Sequence, residues 1–456
     1  MGAIKSRIGY LLFLAVFLLL CLVPSIGMLL PDGAAPAPGA NEVLSALPAL
    51  RDGEGQLNTD YPAQLSAYAG DNYFLRQELV SAWSALNRKV FRTSITEDVV
   101  LGRDGWLYFG GTLDDYTGIR PLSGDEAAAA ARNLALMSEY CESQGARFLF
   151  TIAPNKNSLY PEHMPPLPVF SRERGADALR EALTAENTAY LDLFAAFEGQ
   201  DETLYFRQDS HWNSRGAALA ADRINAALGR SSGYFSGPFS PQAVHRGDLY
   251  AMLCPAGEEL ETDLVYGGEL EFSYDAPIRS AENLTILTSA SRDGSLLMFR
   301  DSFGNLLYPY LAGSFGHALF SRSVPYRLNL AAERGADCVV VELVERNLRY
   351  LLENVPVMPA PLRDAPEAGK EGDAAVSLMA ELSQDLSGYA LVKGTLPPAA
   401  GGRVLLRAGN ACYEAFQLAE NGFGLYIPAS DLAAGELSVI CGGVSLTAQV
   451  EQMRDS

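Results

Sequence analysis

The chain has 456 residues, of which 48% are hydrophobic and 20% are charged, the proportions of a folded protein with two or three domains. The formal net charge is −21, and no cluster of Lys and Arg is evident, which excludes nucleic-acid binding because contact with the phosphate backbone requires a basic face. The same charge disfavours docking on anionic lipid, and we attribute it to solubility.

The N-terminal region predicts a transmembrane signal-anchor over residues 8–30. This stretch carries no charge, and at about 1.5 Å per residue a helix of that length crosses a hydrocarbon core of roughly 30 Å. Lys5 and Arg7 precede it, which predicts a cytoplasmic N-terminus and an extracellular remainder. A signal peptide cleaved near residues 24–27 or 34–40 is the alternative.

Residues 31–59 are rich in Ala, Pro, Gly and Asp, which predicts a linker. From Tyr61 to Phe91 the apolar residues recur at helical spacing. The pattern predicts an amphipathic helix whose core-facing residues are Leu65, Tyr68, Leu75, Leu79 and Trp83.

Residues 60–353 predict an α/β domain. Short apolar runs that read as buried strands alternate with helical segments, and a capping-box sequence opens a helix at Ser123. The predicted strands are 148–152, 190–193, 295–299, 318–321 and 338–343. Such alternation predicts a mostly parallel sheet covered by helices, with ligands binding beyond the carboxyl ends of the strands.

Two segments of this domain carry the groups that serine acyl transfer requires. Asp209-Ser210-His211-Trp212-Asn213 supplies a carboxylate two residues before an imidazole, and Arg300-Asp301-Ser302-Phe303-Gly304 supplies a hydroxyl between a predicted strand and a predicted helix. A serine needs a base to accept its proton, and the base needs an acceptor that fixes its tautomer. We therefore predict Ser302 as nucleophile, His211 as base and Asp209 as its partner.

Structural interpretations of the same segments stay open at this point. Asp301 or Ser302 would also serve as the N-cap of the following helix, and Asp209 with His211 would also form an ordinary loop pair. Each segment alone is a weak signal, and their occurrence in one domain favours the catalytic interpretation.

The two segments resemble the signature blocks of the DHHW-type proteins, relatives of the alginate O-acetylation proteins of the AlgJ and AlgX kind, which are SGNH-hydrolase-like acyltransferases. Further stretches within residues 60–352 fit the same family: 71–76, 101–108, 154–161 and 339–346. The resemblance implies the same three roles for Ser302, His211 and Asp209. It also implies a multi-pass membrane partner of the MBOAT type that supplies the acetyl group.

The sequence departs from the family at Ser210, where the family name has a second histidine, and the separate oxyanion residues have no clear motif. Asn155 and Asn305 are the candidates for the oxyanion site. Further candidates for substrate contact are Arg322 and Tyr326, which follow a predicted strand, and Trp212, whose ring would stack on a sugar. A surface salt bridge for the arginine and a core position for the tryptophan are the structural alternatives.

Prolines between residues 354 and 374 predict a second linker. Residues 375–456 alternate apolar and polar positions between Gly and Pro turns, which predicts a small all-β accessory domain, either a sandwich or a barrel. It would act as a spacer or lid, or alternatively as a carbohydrate-binding module.

The sequence as a whole predicts a membrane-anchored extracellular O-acetyltransferase that modifies a cell-surface polysaccharide through an acetyl-serine intermediate. We expect no cofactor and no metal. Two alternatives stay open: a carbohydrate acetylesterase that uses the same residues, and a catalytically inactive protein that binds glycan or assists assembly.

Overall fold

The computed structural model describes residues 2–27, 44–365, 370–397, 402–433 and 436–454. Part of the first predicted linker, residues 31–43, and part of the second, residues 366–369, lie outside the described residues. The helices are α1 Gly2–Gly27, α2 Tyr61–Asn72, α3 Arg76–Leu86, α4 Leu113–Thr117, α5 Gly124–Ser143, α6 Lys156–Leu159, α7 Gly175–Ala185, α8 Leu193–Glu198, α9 Ser214–Ala227, α10 Asp248–Leu253, α11 Gly304–Ala312, α12 Asn329–Arg334 and α13 Ala429–Ala433.

The strands of the N-terminal and central regions are β1 Val99–Leu101, β2 Leu107–Phe109, β3 Arg147–Ala153, β4 Tyr190–Leu191, β5 Phe239–His245, β6 Glu261–Tyr266, β7 Ser273–Tyr274, β8 Thr285–Ser289, β9 Ser295–Phe299, β10 His317–Ser321 and β11 Cys338–Val344. Those of the C-terminal region are β12 Lys370–Leu382, β13 Tyr389–Thr395, β14 Val404–Ala408, β15 Ala411–Glu414, β16 Phe416–Gln417, β17 Gly422–Pro428, β18 Leu437–Cys441 and β19 Val444–Arg454.

Helix α1 has the length and composition of a membrane span. Its segment Ile8–Gly27 has 20 residues and a mean hydropathy of 2.5, and its residues from Ile8 to Val23 are exposed, whereas Gly27 at its end is buried. The helix therefore fits the predicted anchor, and residues 28–30 of the predicted span lie outside the described residues.

The α/β domain is built on a sheet with the strand order β4-β3-β11-β9-β10-β8-β7. The strands from β4 to β10 run parallel, and β8 and β7 add an antiparallel edge. Side chains alternate between the faces of β11: Val339 and Val341 pack with helices α5 and α7, whereas Val340 packs with α9 and α11. The predicted fold class, a mostly parallel sheet covered by helices, is confirmed.

This sheet brings distant parts of the chain to one edge. Strands β3, β11 and β9 are adjacent and parallel, so their carboxyl ends lie side by side. Asn155 follows β3, Ser302 follows β9 and Glu345 follows β11. The candidate site lies at this edge.

The segment between Tyr61 and Phe91 differs from its prediction. Two helices, α2 and α3, replace the single helix, and a π-helical turn at Asn87–Phe91 follows them. Leu65 and Trp83, predicted to face the core, are 37% and 56% exposed, whereas Ser84 is fully buried. The prediction was wrong because α3 packs on the α/β domain through its polar face.

The C-terminal domain is a sheet with the order β15-β14-β18-β19-β12-β13-β17-β16 around its own apolar core. Its all-β character was predicted and is confirmed. A buried ion-pair network joins it to the α/β domain: Arg132 donates from Nε and Nη2 to the two carboxylate oxygens of Glu414, both at 2.7 Å, and Arg363 Nε donates to Glu414 at 2.6 Å.

The second predicted linker is packed between the domains where it is described. Four of its apolar residues are at most 6% exposed: Val355, Val357, Met358 and Ala360. The Ala360 backbone N–H donates to Tyr426 O of β17, and β12 begins at Lys370, inside the predicted linker. The apolar side chains between the prolines fill the seam between the two domains, which fixes their relative position.

Candidate active site

Ser302 lies at the corner between β9 and α11. The preceding residue, Asp301, stabilises this corner: its Oδ1 accepts from the Phe303 backbone N–H at 2.9 Å and its Oδ2 from the Val344 N–H at 2.7 Å. Because the Asp301 carboxylate holds the turn, the Ser302 hydroxyl is left to point elsewhere. Phe303 is the N-cap residue of α11 and makes no side-chain capping bond, so the N-cap interpretation applies neither to Asp301 nor to Ser302.

The Ser302 hydroxyl faces His211, which lies on the loop before α9. Ser302 Oγ is 2.9 Å from His211 Nε2, and His211 Nδ1 is 2.7 Å from Asp209 Oδ1. An ionised carboxylate only accepts hydrogen bonds, so His211 carries its proton on Nδ1 and leaves Nε2 free to accept from the serine. The structure brings the three predicted residues into one chain of hydrogen bonds.

Aromatic packing holds the two segments together. Trp212, which follows His211, is fully buried and donates from Nε1 to Phe303 O at 3.1 Å. The Phe303 ring packs edge-on against the Trp212 ring with centroids 5.0 Å apart, and it lies 4.8 Å from the His211 ring. Burial of these rings places the imidazole beside the hydroxyl.

Asp209 is the most heavily hydrogen-bonded group of the site. Oδ1 accepts from the His211 backbone N–H and from Nδ1; Oδ2 accepts from His245 Nε2 and from the Asp248 N–H, both at 2.9 Å. Burial by itself would raise the pKa of Asp209, but the charges and hydrogen bonds of His211 and His245 outweigh it and hold the pKa well below its ordinary value. Asp209 is therefore ionised at neutral pH.

The Asp209 carboxylate also changes the pKa of the His211 imidazole. Burial lowers the pKa of His211, but the charge and hydrogen bond of Asp209, with a further contribution from Asp248, outweigh burial and raise it. Arg346, whose guanidinium lies 5.4 Å from the Phe303 ring, acts in the opposite direction on the His211 pKa. The result is a stronger base than an ordinary histidine.

Lys156 supports the loop that carries Asp209 and His211. Its Nζ donates to three backbone carbonyls, those of Phe206 at 3.1 Å, Arg207 at 3.0 Å and Asp209 at 2.6 Å. Burial lowers the pKa of Lys156 to about 8, against the opposing charges of Asp209 and Asp248. Lys156 thus holds this loop in position from the carboxyl end of β3.

Two further residues of the site escaped the sequence analysis. His245 bonds Asp209 and stacks on Phe206 with ring centroids 3.7 Å apart. Asp248 accepts from the Ser210 N–H at 2.7 Å and from Ser210 Oγ at 2.5 Å. Ser210 thus links the loop to α10. The scarcity of histidine, four in the chain, was the available signal for His245.

Asn155 lies at the same edge of the sheet with an unsatisfied side chain. The residue is 1% exposed, and neither Oδ1 nor Nδ2 has a hydrogen-bond partner among the described residues. Its backbone N–H donates to Glu345 Oε2 at 2.8 Å, at the end of the strand between β3 and β9. Burial and the neighbouring Asp115 raise the pKa of Glu345 to about 8. An unpaired buried amide costs free energy, which a bound group would recover.

The remaining predicted contact residues are engaged elsewhere. Asn305 Oδ1 accepts from Arg300 Nη1 at 2.7 Å and its Nδ2 donates to Glu282, so the amide is not free for an oxyanion. Arg322 pairs with Glu282, the salt bridge considered as its alternative. Tyr326 is 9% exposed and Trp212 is fully buried, so neither ring is a platform for a sugar. In each case, a partner distant in sequence decides the position.

Three side chains of the site also have the donor atoms that a metal ion would need. Donor atoms of Asp209, His211 and Asp248 lie within 4.8 Å of one another. The Asp209 and Asp248 oxygens already accept N–H and O–H donors of the chain, and His211 Nδ1 already donates to Asp209. Metal binding would break these hydrogen bonds, so the geometry favours the proton relay.

A family comparison agrees with the resemblance predicted from the motifs. Residues 99–262 match the model of the SGNH hydrolase-like domain of the acetyltransferase AlgX. The matched range contains Asp209 and His211 and ends before Ser302. The resemblance is confirmed for this part of the chain.

Two relatives are both named probable alginate O-acetylase AlgJ. The protein of Pseudomonas syringae pv. tomato is 28% identical over 235 residues, 46% of this chain and 58% of its own length. That of Pseudomonas putida is 29% identical over 192 residues, 39% of this chain and 43% of its own length. The chain thus spans about half the length of these relatives.

Solved structures give more distant matches. A DHHW family protein from Eubacterium siraeum covers 55% of this chain and 94% of its own, with 18% identity and a TM-score of 0.41. The O-acetyltransferase domain of Pseudomonas putida AlgJ covers 56% and 93%, with 19% identity and a TM-score of 0.36.

Proposed function

We propose that this chain is a membrane-anchored, extracytoplasmic O-acetyltransferase that acetylates a cell-surface polysaccharide through an acetyl-serine intermediate. The observation that carries the proposal is the relay from Ser302 Oγ to His211 Nε2 at 2.9 Å and from His211 Nδ1 to Asp209 at 2.7 Å. The named relatives support an acetyl group and a polysaccharide as the reactants.

In the first step, Ser302 Oγ attacks the carbonyl carbon of the acetyl donor while His211 Nε2 takes the hydroxyl proton. The carbonyl oxygen becomes an oxyanion, which the Ser302 backbone N–H and the Asn155 amide stabilise; neither has a protein acceptor or donor partner among the described residues. The bond from the carbonyl carbon to the donor then breaks, and the leaving group takes the proton from His211. Ser302 is left acetylated.

In the second step, a sugar hydroxyl replaces the donor. His211 removes its proton as the oxygen attacks the acetyl-serine, and the Ser302 oxygen leaves with that proton. Water in the same position would give hydrolysis, so transfer requires that the acceptor excludes it. Arg346 and Glu345 line a cavity of about 350 Å³ beside this edge of the sheet, together with Gly111, Asp115 and Arg349, and we propose that the acceptor approaches there.

The membrane gives the reaction its context. Helix α1 would hold the domain at the outer surface with the N-terminus in the cytoplasm. An MBOAT-type membrane protein would deliver the acetyl group, because the described residues contain one helix that could span a membrane. No cofactor enters either step.

Intact-mass analysis of the full chain tests the proposal. We expect exposure to p-nitrophenyl acetate to add one acetyl group that peptide mapping locates on Ser302. Subsequent addition of an oligosaccharide acceptor is expected to remove that group and to yield an acetylated sugar. Release of free acetate with no acetylated sugar would identify an esterase instead. An unmodified Ser302 would leave the glycan-binding or assembly alternative.

The pH dependence of the reaction follows from the His211 environment. His211 must be neutral to accept the serine proton, and Asp209 raises its pKa, so activity is expected to increase with pH through a midpoint above about 6.5, the ordinary value for histidine. The rate of p-nitrophenyl acetate hydrolysis, measured as kcat/KM against pH, provides the check. A midpoint at or below the ordinary value would contradict the proposed role of Asp209.

A further inference from the structure

Helix α3 and the π-helical turn after it are packed with the polar side inward. Ser84 is fully buried, Ser81 Oγ accepts from the Ala256 backbone N–H at 3.0 Å, and Arg88 Nη2 donates to Cys254 Sγ at 3.0 Å. A helix on the surface of a water-soluble domain usually buries its apolar face instead. In α3 the orientation is the reverse of the usual one.

The outward side of the same segment is apolar. Four side chains form this surface, which we call the Trp83 stripe: Trp83 (56% exposed), Leu86 (45%), Val90 (62%) and Phe91 (60%). Their spacing of three and four residues places the first three along one side of the helix. Contiguous exposed apolar surface of this kind marks a binding surface, because its contact with water is unfavourable.

The position of the anchor helix indicates what covers the stripe. Gly27, at the end of α1, lies so close to Phe74 that a Cβ on the glycine would be 2.3 Å from Phe74 Cγ. Phe74 comes two residues before α3 begins at Arg76. The 20 apolar residues of Ile8–Gly27 span roughly 30 Å, the thickness of the hydrocarbon core. Gly27, and with it the start of α3, therefore lies at the bilayer surface.

The composition of the stripe suits that depth. Tryptophan is enriched in the layer between hydrocarbon and headgroups, and Trp, Phe and Leu form the apolar face of helices that lie in that layer. Lys89 and Arg92, both exposed beside the stripe, have long side chains that reach headgroup phosphates while their stems stay in the apolar layer. They are a local exception in a chain with a net charge of −21.

We propose that the Trp83 stripe inserts into the interfacial layer of the same bilayer that α1 crosses. The proposal rests on the anchoring part of the proposed function. The acidic chain by itself would be repelled by anionic lipid, but the anchor holds the stripe at a high local concentration next to the surface, so a weak insertion becomes persistent.

Insertion would fix the active site relative to the membrane. Cys254 and Ala256, which hold α3, directly follow α10, and α10 begins with Asp248. Asp248 bonds Ser210 and, through its backbone, Asp209. The loop that carries His211 is thus connected to the lipid surface through α10 and α3. An acyl group that has crossed the membrane would emerge at that surface.

Quenching of Trp83 fluorescence by brominated lipid tests the proposal with the full chain in phosphatidylcholine vesicles. Trp106 is 3% exposed and Trp212 is fully buried, so Trp83 is the tryptophan that lipid can reach. We expect vesicles of brominated phosphatidylcholine to remove most of the Trp83 emission. The control chain Trp83→Phe keeps an aromatic ring, and its remaining emission is expected to be the same in brominated and ordinary lipid.

A second variant, Val90→Glu, places a charge in the stripe and is expected to restore most of the quenched emission, while vesicle flotation through α1 stays unchanged. Trp83 emission that brominated lipid leaves intact and aqueous iodide quenches would overturn the proposal, and so would emission that neither reagent quenches, which would indicate a protein cover such as a second copy of the chain. Acetylation of Ser302 in the same vesicles reports the proposed chemistry separately, and flotation reports the anchor.

Discussion

Replacement of Ser302 by alanine is expected to lower acetyl transfer by about 10⁵-fold to 10⁶-fold, the loss seen when a serine nucleophile is removed from a relay of this kind. The variant keeps the corner between β9 and α11, because the Asp301 carboxylate and not the Ser302 hydroxyl holds it. The loss is therefore chemical and not structural. Initial rates of acetylated-sugar formation measure it, with the thermal unfolding midpoint as the check on folding.

Ser289 offers a matched control on the same sheet. Its hydroxyl is 3.1 Å from His317 Nδ1 and donates to Asp275 at 2.8 Å, so it also has a histidine and an aspartate as neighbours. There the aspartate bonds the serine, and no carboxylate is found on the other histidine nitrogen among the described residues. Ser289→Ala is expected to leave transfer unchanged. Equal losses in both variants, or full activity of Ser302→Ala, would reject Ser302 as the nucleophile.

Replacement of Asp209 by asparagine is expected to lower the rate by about 10⁴-fold. The amide has nearly the same shape but no charge, so it cannot stabilise the imidazolium that forms on His211. It also has one acceptor oxygen, whereas both oxygens of Asp209 accept N–H donors: His211 on one side, His245 and the Asp248 backbone on the other. In Asp209→Asn, the amide NH₂ group therefore faces N–H donors on one side and cannot accept their hydrogen bonds.

Two measurements separate this effect from simple unfolding. Because Asp209 raises the pKa of His211, Asp209→Asn is expected to shift the acidic limb of the pH profile to lower pH. Asp248→Asn is the matched control: its carboxylate is 3.5 Å from His211 Nδ1 and chiefly holds Ser210, so its loss of rate is expected to be much smaller. A rate loss in Asp209→Asn without a shift of the limb would mean that Asp209 only supports the fold.

The sequence could predict features that short-range patterns determine. The strands at 148–152, 295–299 and 338–343 were predicted within one residue of the observed bounds, because continuous apolar runs bounded by Gly or polar residues leave little choice of structure. The corner at Ser302 followed from the change from strand to helix at that point. The association of His211 with Asp209 followed from their spacing.

Other features depend on partners that lie far away in the chain. Asn305 was a candidate oxyanion donor, but its side-chain amide forms hydrogen bonds with Glu282 and Arg300. Trp83 was predicted to be in the core, because apolar periodicity identifies the apolar face of a helix and does not identify what that face contacts. His245 is the last residue of β5, and only the course of that strand in the tertiary structure brings it to Asp209.

The sequence by itself determined which groups are available for chemistry: one serine at a strand end, a histidine with a nearby carboxylate, and an apolar N-terminal helix. The tertiary structure decided which of them meet and which surfaces stay exposed. Hydrogen bonds and ring packing act over a few ångströms in space. Ser302 and His211 come within that range because Lys156, which follows the parallel strand β3, holds the His211 loop at the edge of the sheet where β9 ends, and because Trp212 and Phe303 bury each other. No local pattern contains that information.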